Sequence, residues 1–333
     1  MLTVENLTIS FRTDEGPITP VQDVSFSVDK GRTLGLVGES GSGKSVSTKA
    51  LMRLLPRTAT LGPDTRMHYT AKDGRVIEIE KLADVGEPIR HLRGGEIGMI
   101  FQEPMASFSP VYTIGNQMIE AIRLHRGLGR RQAREFAVEM LEKVGISNAP
   151  ARIDQYPHEL SGGMRQRAMI ALTLSAGPAL LIADEPTTAL DVTIQAQVLD
   201  LMHELQRELG MGMIFITHDL GVIAQVADDV AVMYLGTIVE RGPARDVIRS
   251  PQHPYTQGLL AAIPSLDRLT HRLSPVPGDI PSPNARPTGC PFQTRCAQKI
   301  EGLCDAKAPR EIENMPGRAV RCWLHDERGR NAA

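Results

Sequence analysis

The chain has 333 residues, 41% of them hydrophobic and 23% charged, with a formal net charge of −2; that is room for one large domain with an appendage, or for two domains. A near-neutral balance excludes the basic surplus that wholesale nucleic-acid binding needs. No run approaches the roughly 18 apolar residues that cross a bilayer, and "ALLIA" (179–183), in the longest weakly polar stretch, is far shorter.

The N-terminus "MLTVENLTIS" has no basic start and no cleavage pattern, so the sequence predicts a cytosolic protein whose thiols stay reduced. "LTVENLTISF" and "PVQDVSFSV" alternate apolar and polar residues as half-buried strands do. "GRTLGLVG" is a more continuously apolar strand that runs into a glycine-rich turn, after which Val46, Ala50, Leu51 and Leu54 recur at helical spacing. Residues 57–96 read as polar and irregular, with "DGRV" a hairpin turn. "EIGMIFQ" (96–102) is a buried strand. "GRRQAREFAVEMLEKVG" places Ala133, Phe136, Ala137, Met140, Leu141 and Val144 on one stripe of an amphipathic helix. "ALLIADE" and "MGMIFITHD" are aliphatic runs that end in polar residues, as strands of a buried parallel sheet do. Beyond residue 250 the composition changes: 11 of the 23 prolines lie there, which sets a boundary near 245 and a loop-rich tail after it.

"GESGSGKS" comprises Gly38, Glu39, Ser40, Gly41, Ser42, Gly43, Lys44 and Ser45, and fits the G-x-x-x-x-G-K-[ST] loop between a strand and a helix. Its glycines let backbone N–H groups turn inward around phosphates, and the following helix adds its positive end. Lys44 is placed to reach the β- and γ-phosphates, and Ser45 to bind Mg²⁺. In "LLIADEP" (180–186), Asp184 ends an apolar strand where it can hold the Mg²⁺ shell, and Glu185 beside it can polarise an attacking water. His218 ends another strand, 33 positions after Glu185, on the edge where α/β sheets bind ligands. "LSGGMRQR" (160–167) has no use in that one site. Its serine, two glycines and helix N-terminus make a second anion-binding surface.

This order of motifs resembles the ATP-binding subunit of an ABC transporter. The resemblance implies an α/β P-loop cassette over 1–245, with an antiparallel β subdomain and a helical signature subdomain at about 104–170. It implies that Phe11 stacks on adenine, that Val46 joins the loop 38–45 in holding ATP, and that Gln102 is the Q-loop residue that reaches the metal. In the same way "TTALD" (187–191), with Asp191, matches the D-loop, and His218 contacts the γ-phosphate. Ser161, Gly162 and Gly163, with Gln166, would contact ATP held by an opposite subunit, so two cassettes close around two nucleotides. The segment 102–115 would meet a coupling helix of a membrane subunit. The implied partners are a second ATPase (itself or a paralogue), two permease subunits and an extracytoplasmic solute-binding protein, with no nucleic acid. The alternative is a non-transport ABC ATPase acting on nucleic acid or the ribosome. Lys44 and Ser161 are only 117 positions apart, which leaves no space for the long coiled coil of chromosome-structure ATPases.

All four cysteines, Cys290, Cys296, Cys304 and Cys322, lie in the tail, spaced C-x5-C, C-x7-C and C-x17-C. Zinc modules favour close C-x2-4-C pairs, although His325 could supply a further ligand. Wide spacing suits a 4Fe–4S cluster, and reduced thiols are the third reading. "SPQHPYTQGLLAAIP" followed by "GCPFQTRC" resembles the C-terminal extension of oligopeptide, dipeptide and nickel importer ATPases, over 246–333. That resemblance implies a cluster, since some members of the family carry one. A proline-rich tail with little periodicity is expected to lack a core of its own. A metal centre would then be structural and remote from ATP chemistry.

Overall fold

The computed structural model describes residues 1–102, 108–187, 191–263 and 276–327. Strands β1 (Leu2–Thr13) and β2 (Gly16–Val28) pair antiparallel from Leu2↔Val28 to Thr13↔Gly16. A strict two-residue alternation would put Leu2 and Val4 inside but Leu7 and Ile9 outside. Asn6, at φ +52, is the extra residue of a bulge, and the register shifts between Val4 and Leu7, so all four are buried.

The stretch 57–96 departs from expectation. It forms β4 (Ala59–Leu61), β5 (Arg66–Thr70), β6 (Val76–Glu78) and the helix Glu87–Leu92. Both β4 and β5 add to β1, and β6 adds to β5, completing a five-stranded antiparallel sheet. Strands of three to five residues are too short to announce a period. The turn expected at "DGRV" joins β5 to β6, with Ala71 N donating to Arg75 O.

The second sheet positions the chemistry. It contains β3 (Thr33–Val37), β7 (Ile97–Ile100), β8 (Leu180–Asp184), β9 (Gly212–Thr217), β10 (Asp229–Tyr234), β11 (Thr237–Pro243), β12 (Ile312–Met315) and β13 (Arg318–Val320). Its order is β12-β13-β11-β10-β3-β9-β8-β7, and the five strands from β10 to β7 are parallel. Their unbroken apolar runs follow from burial on both faces. Leu34, Leu36, Leu180, Ile182, Ile214 and Ile216 meet the antiparallel sheet, while Leu181, Ala183, Met213 and Phe215 point into the helical side. Gly35 is required by close approach: a Cβ there would lie 2.7 Å from Ile223 Cδ1 on the helix Leu220–Val226.

On that helical side, Ile114–Arg126, Arg130–Lys143 and Gly162–Ser175 pack together. Ala133, Ala137, Met140, Leu141 and Val144 are buried as the stripe predicts, and half-buried Phe136 lies under the Arg126 guanidinium at 4.6 Å. Among the described residues no helix is long and apolar enough to cross a membrane.

The tail does build a core, contrary to the expectation above. β13 pairs with β11, Glu240 opposite Val320, so the tail extends the main sheet. Tyr255, Phe292 and Trp323 are buried, and the Phe292 ring stands 5.1 Å from that of Tyr234 and 5.4 Å from that of Tyr255. Glu240, wholly buried, accepts from Gln252 N, His253 N and Arg318 Nη2. A buried carboxylate is tolerable only with such partners. The proline-rich composition concealed a few large aromatic anchors spaced too far apart to read as a periodic face.

Candidate active site

Strand register sets the site. Val37 stands opposite Thr217, Ile216 opposite Asp184, and Ala183 opposite Ile100, so four neighbouring strands end in one row. The next residues, the loop 38–45, His218, Glu185 and Gln102, therefore emerge along one edge of the sheet.

Gly41 (φ +79) and Gly43 (φ +100) take left-handed backbone that only glycine adopts freely, and a Cβ on Gly43 would lie 2.7 Å from Pro20 O. The loop closes on Lys44, which is 5% exposed. Its Nζ donates to Gly38 O (2.6 Å), Glu39 O (2.9 Å) and Ser42 Oγ (3.2 Å). Burial pushes the Lys44 pKa down, against the opposing pull of Glu185, Asp184 and Glu39. Ser45 Oγ donates to Asp184 Oδ1 at 3.0 Å, which brings together two of the residues expected at the metal. Desolvation raises the Asp184 pKa. Such a pair of oxygens beside a lysine is suited to a hard divalent cation bridging phosphates. Ser40 is exposed. The half-buried Val46 side chain packs against the core of the antiparallel sheet.

Glu185 is the focus of the edge. It holds φ +47, a strained conformation for a side-chain-bearing residue, with its N–H donating to Ile216 O. Its carboxylate lies between Gln102 Nε2, which donates to Oε2 at 3.1 Å, and His218 Nδ1, 3.5 Å from Oε1. The imidazole is held on a turn in which Asp219 caps the next helix, accepting from Gly221 N, while Asp219 N donates to Thr217 Oγ1. Three residues chosen from separate motifs are thus brought within reach of one another.

The signature residues face outward. Ser161 caps the helix Gly162–Ser175, accepting from Met164 N at 3.3 Å, and a Cβ on Gly162 would meet nothing within 4 Å. Gly163 is half-buried, with a Cβ there falling 3.6 Å from Ile194. Gln166 differs from its expected role: it is buried, and its Nε2 donates to Pro186 O, tying the signature helix to the segment after Glu185. Asp191 caps the helix Val192–Leu209, accepting from Ile194 N at 3.0 Å. Phe11 sits half-buried on β1 opposite Ile18 and Ala59, two positions along β2 from Pro20. Parts of the expected coupling segment (103–107) and of the D-loop (188–190) lie outside the described residues.

The tail is not remote from this site, which corrects the sequence reading. Arg295 bonds both carboxylate oxygens of Glu39, and Glu39 N donates to Tyr255 Oη at 2.9 Å. Half-buried Arg286 lies beside Gly41, Thr19 and Pro20. No sequence signal links positions 256 apart, so Arg295, Tyr255 and Arg286 were missed.

Cys290, Cys304 and Cys322 are buried, Cys296 is half-buried, and none of the four is in a disulfide. Burial, with some contribution from neighbouring thiols, pushes Cys290 and Cys322 up to about 12. His325 Nε2 is engaged 3.1 Å from Gln252 O. Beside Cys290, His253 is 1% exposed and its Nε2 has no partner among the described residues, at the wall of a cavity of about 430 Å³ that Arg286 also lines.

Residues 21–188 match the family described as ABC transporter, and residues 239–304 match the C-terminal region of oligopeptide/dipeptide transporters. A protein of Brucella abortus named as a peptide import ATP-binding protein is 51% identical over 315 residues, 93% of this chain and 92% of its own. The dipeptide transport ATP-binding protein DppD of Bacillus subtilis is 46% identical over 332 residues, spanning 100% of this chain and 97% of its own. Among solved structures, a dimeric bacterial ABC transporter cassette superposes with TM-score 0.63 at 26% identity, over 74% of this chain and 99% of that one. The same holds for a dimeric post-hydrolysis cassette bound to ADP and Pi. The chain accordingly belongs to the ABC transporter family, as an ATPase cassette of the oligopeptide/dipeptide branch.

Proposed function

We propose that this chain hydrolyses ATP to energise import of peptides or related small solutes through a binding-protein-dependent transporter. It works as a peripheral subunit on the cytoplasmic face of the cell (inner) membrane. Its cassette (1–245) does the chemistry and its extension (246–333) is an attached structural unit. The reading rests on the Glu185 carboxylate held between Gln102 and His218, beside the Ser45–Asp184 pair. Lys44 leaves its loop carbonyls for the β- and γ-phosphates, the loop 38–45 and the Val46 backbone surround them, and Phe11 stacks on adenine. Mg²⁺ at Ser45, Asp184 and Gln102 would neutralise phosphate charge. Glu185 takes a proton from the attacking water while His218 steadies the γ-phosphate. The outward Ser161, Gly162 and Gly163, with the nearby Asp191, serve ATP on a second cassette, the same chain or a paralogue, and two permeases and a solute-binding protein complete the transporter. Relatives named for peptide import and dipeptide transport support the substrate class, and weigh against a role on nucleic acid or the ribosome.

Cells lacking this chain are expected to lose uptake of labelled di- and oligopeptides. The wild-type chain should restore it and Lys44→Ala should not. Restored uptake with Lys44→Ala would overturn the reading.

The four thiols are proposed to hold a 4Fe–4S cluster at Cys290, Cys296, Cys304 and Cys322, which would cross-link the loops of the extension. Anaerobically purified protein should be brown, with iron and sulfide near four each per chain, as that cluster type requires. Cys296→Ser should lose both. Colourless protein with about one zinc per chain would replace iron by zinc, and protein with neither would leave four reduced thiols.

A further inference from the structure

The contact between extension and phosphate loop has the geometry of a coupling element. Arg295 Nη1 donates to Glu39 Oε2 at 2.7 Å and Nη2 to Oε1 at 3.1 Å, a fork-to-fork pair. Two further guanidinium donors are committed to the extension itself: Nε to Pro277 O (2.9 Å) and Nη2 also to Val276 O (3.1 Å). Only 3% of the Arg295 side chain is exposed, and the guanidinium lies 5.7 Å from the Tyr234 ring centre. At the other end, Glu39 is held through every polar group it has. Its side chain meets Arg295, its N–H meets Tyr255 Oη, and its carbonyl accepts from Lys44 Nζ at 2.9 Å. Arg295 directly precedes Cys296, and its own N–H closes a turn on Phe292 O, in a segment where Cys290 N donates to Cys304 O at 2.7 Å.

We propose that Arg295 is a positioning residue for the phosphate loop, and that through Glu39 it couples the conformation of the cysteine segment to nucleotide binding. The proposal rests on the loop 38–45 being the ATP site. The physical reason is charge. A carboxylate in the second position of a loop that receives a polyphosphate repels that ligand unless a fixed cation offsets it. Arg295 supplies the cation, and being anchored by the extension it also fixes where Glu39 and the Lys44 acceptor stand. When Lys44 moves to phosphate, its contact with Glu39 O is released, and the change passes through one guanidinium to the cysteine segment. Linkage makes the effect mutual: an extension that orders the loop favours ATP, and ATP orders the extension.

The test uses the full chain and a fluorescent, non-hydrolysable ATP analogue. Arg295→Ala should weaken binding roughly tenfold, within the usual range for such coupling. Glu39→Gln in the same chain should restore most of that loss, because it removes the unpaired charge; a merely structural Arg295 would show no such rescue. Arg295→Lys, which keeps the charge and loses the fork, should fall between and serves if Arg295→Ala does not fold. In wild type the analogue should slow amide hydrogen exchange over residues 289–297, and in Arg295→Ala it should not. Binding unchanged within twofold in both Arg295 variants, or exchange that responds to the analogue equally in wild type and variant, would overturn the coupling. Failure of the wild-type chain to bind the analogue would instead overturn the assignment of the loop.

Discussion

Glu185→Gln is expected to lower ATP turnover by about 10²–10⁴-fold, the range a positioned general base contributes, with ATP binding retained. The two side chains are nearly the same shape, and glutamine meets the φ of +47 at the same cost as glutamate, so the strand end should keep its conformation. What changes is proton affinity. A carboxylate can take the proton of an attacking water, whereas an amide cannot. The neighbours should adjust without collapse: of the two atoms that Gln102 and His218 face, 3.1 and 3.5 Å away, one becomes an amide oxygen and the other an amide NH2, which Gln102 meets by turning its own amide. Phosphate binding does not run through this group: Lys44 and Ser45 open the helix after β3, and on the strand that Glu185 follows it is Asp184 that meets Ser45. The variant should accumulate with ATP bound and two cassettes closed, since hydrolysis is what releases them. Turnover measured in the assembled transporter, together with the amount of bound ATP, decides it. Wild-type turnover would remove Glu185 from the catalytic role.

The parts of this site that could be read in the sequence are those that local chain chemistry determines. Gly41 and Gly43 mark a turn, Lys44 and Ser45 open a helix, and Asp184, Glu185 and His218 end apolar runs. Each statement concerns fewer than ten consecutive residues, and the parallel sheet then brings the ends together by register. What could not be read depends on pairings between distant segments. The strands β4 to β6 exist because β1 and its neighbours offer an edge, not because three residues at 59–61 prefer extension. Gln166 belongs to a motif for nucleotide contact, yet helix geometry turns it inward onto Pro186 O. The Arg295–Glu39 pair joins two polar residues that, taken singly, look solvated, and the aromatic cluster of Tyr234, Tyr255 and Phe292 is assembled from three separate segments. Composition misled most in the tail, where prolines suggested an absent core and the fold supplies one by borrowing the edge of the main sheet.

Ser161→Arg should abolish turnover of the assembled ATPase, by at least roughly the 10²-fold that loss of a transition-state donor costs, while an isolated chain binds ATP with unchanged affinity. Ser161 is exposed, and above Gly162 the surface is open, so an arginine there disturbs little of its own subunit. The local cost is the cap to Met164 N, about 1 kcal/mol, too small to unfold a helix that is packed along Met169, Ile170 and Leu174. The same arginine would occupy the face on which a second cassette must bring its triphosphate. In the proposed assembly that occupant is a second cassette, the same chain or a paralogue. Mixing gives the sharper result. In dimers of two copies, Lys44→Ala alone spoils both sites and Ser161→Arg alone spoils both. A mixed dimer, however, places one intact loop opposite one intact signature and should recover turnover at that single site. If the signature served its own subunit's ATP, the mixture would hold no complete site and no activity would return. Loss of nucleotide binding by the isolated Ser161→Arg chain, or a mixture as inactive as its components, would place the signature in the site of its own chain.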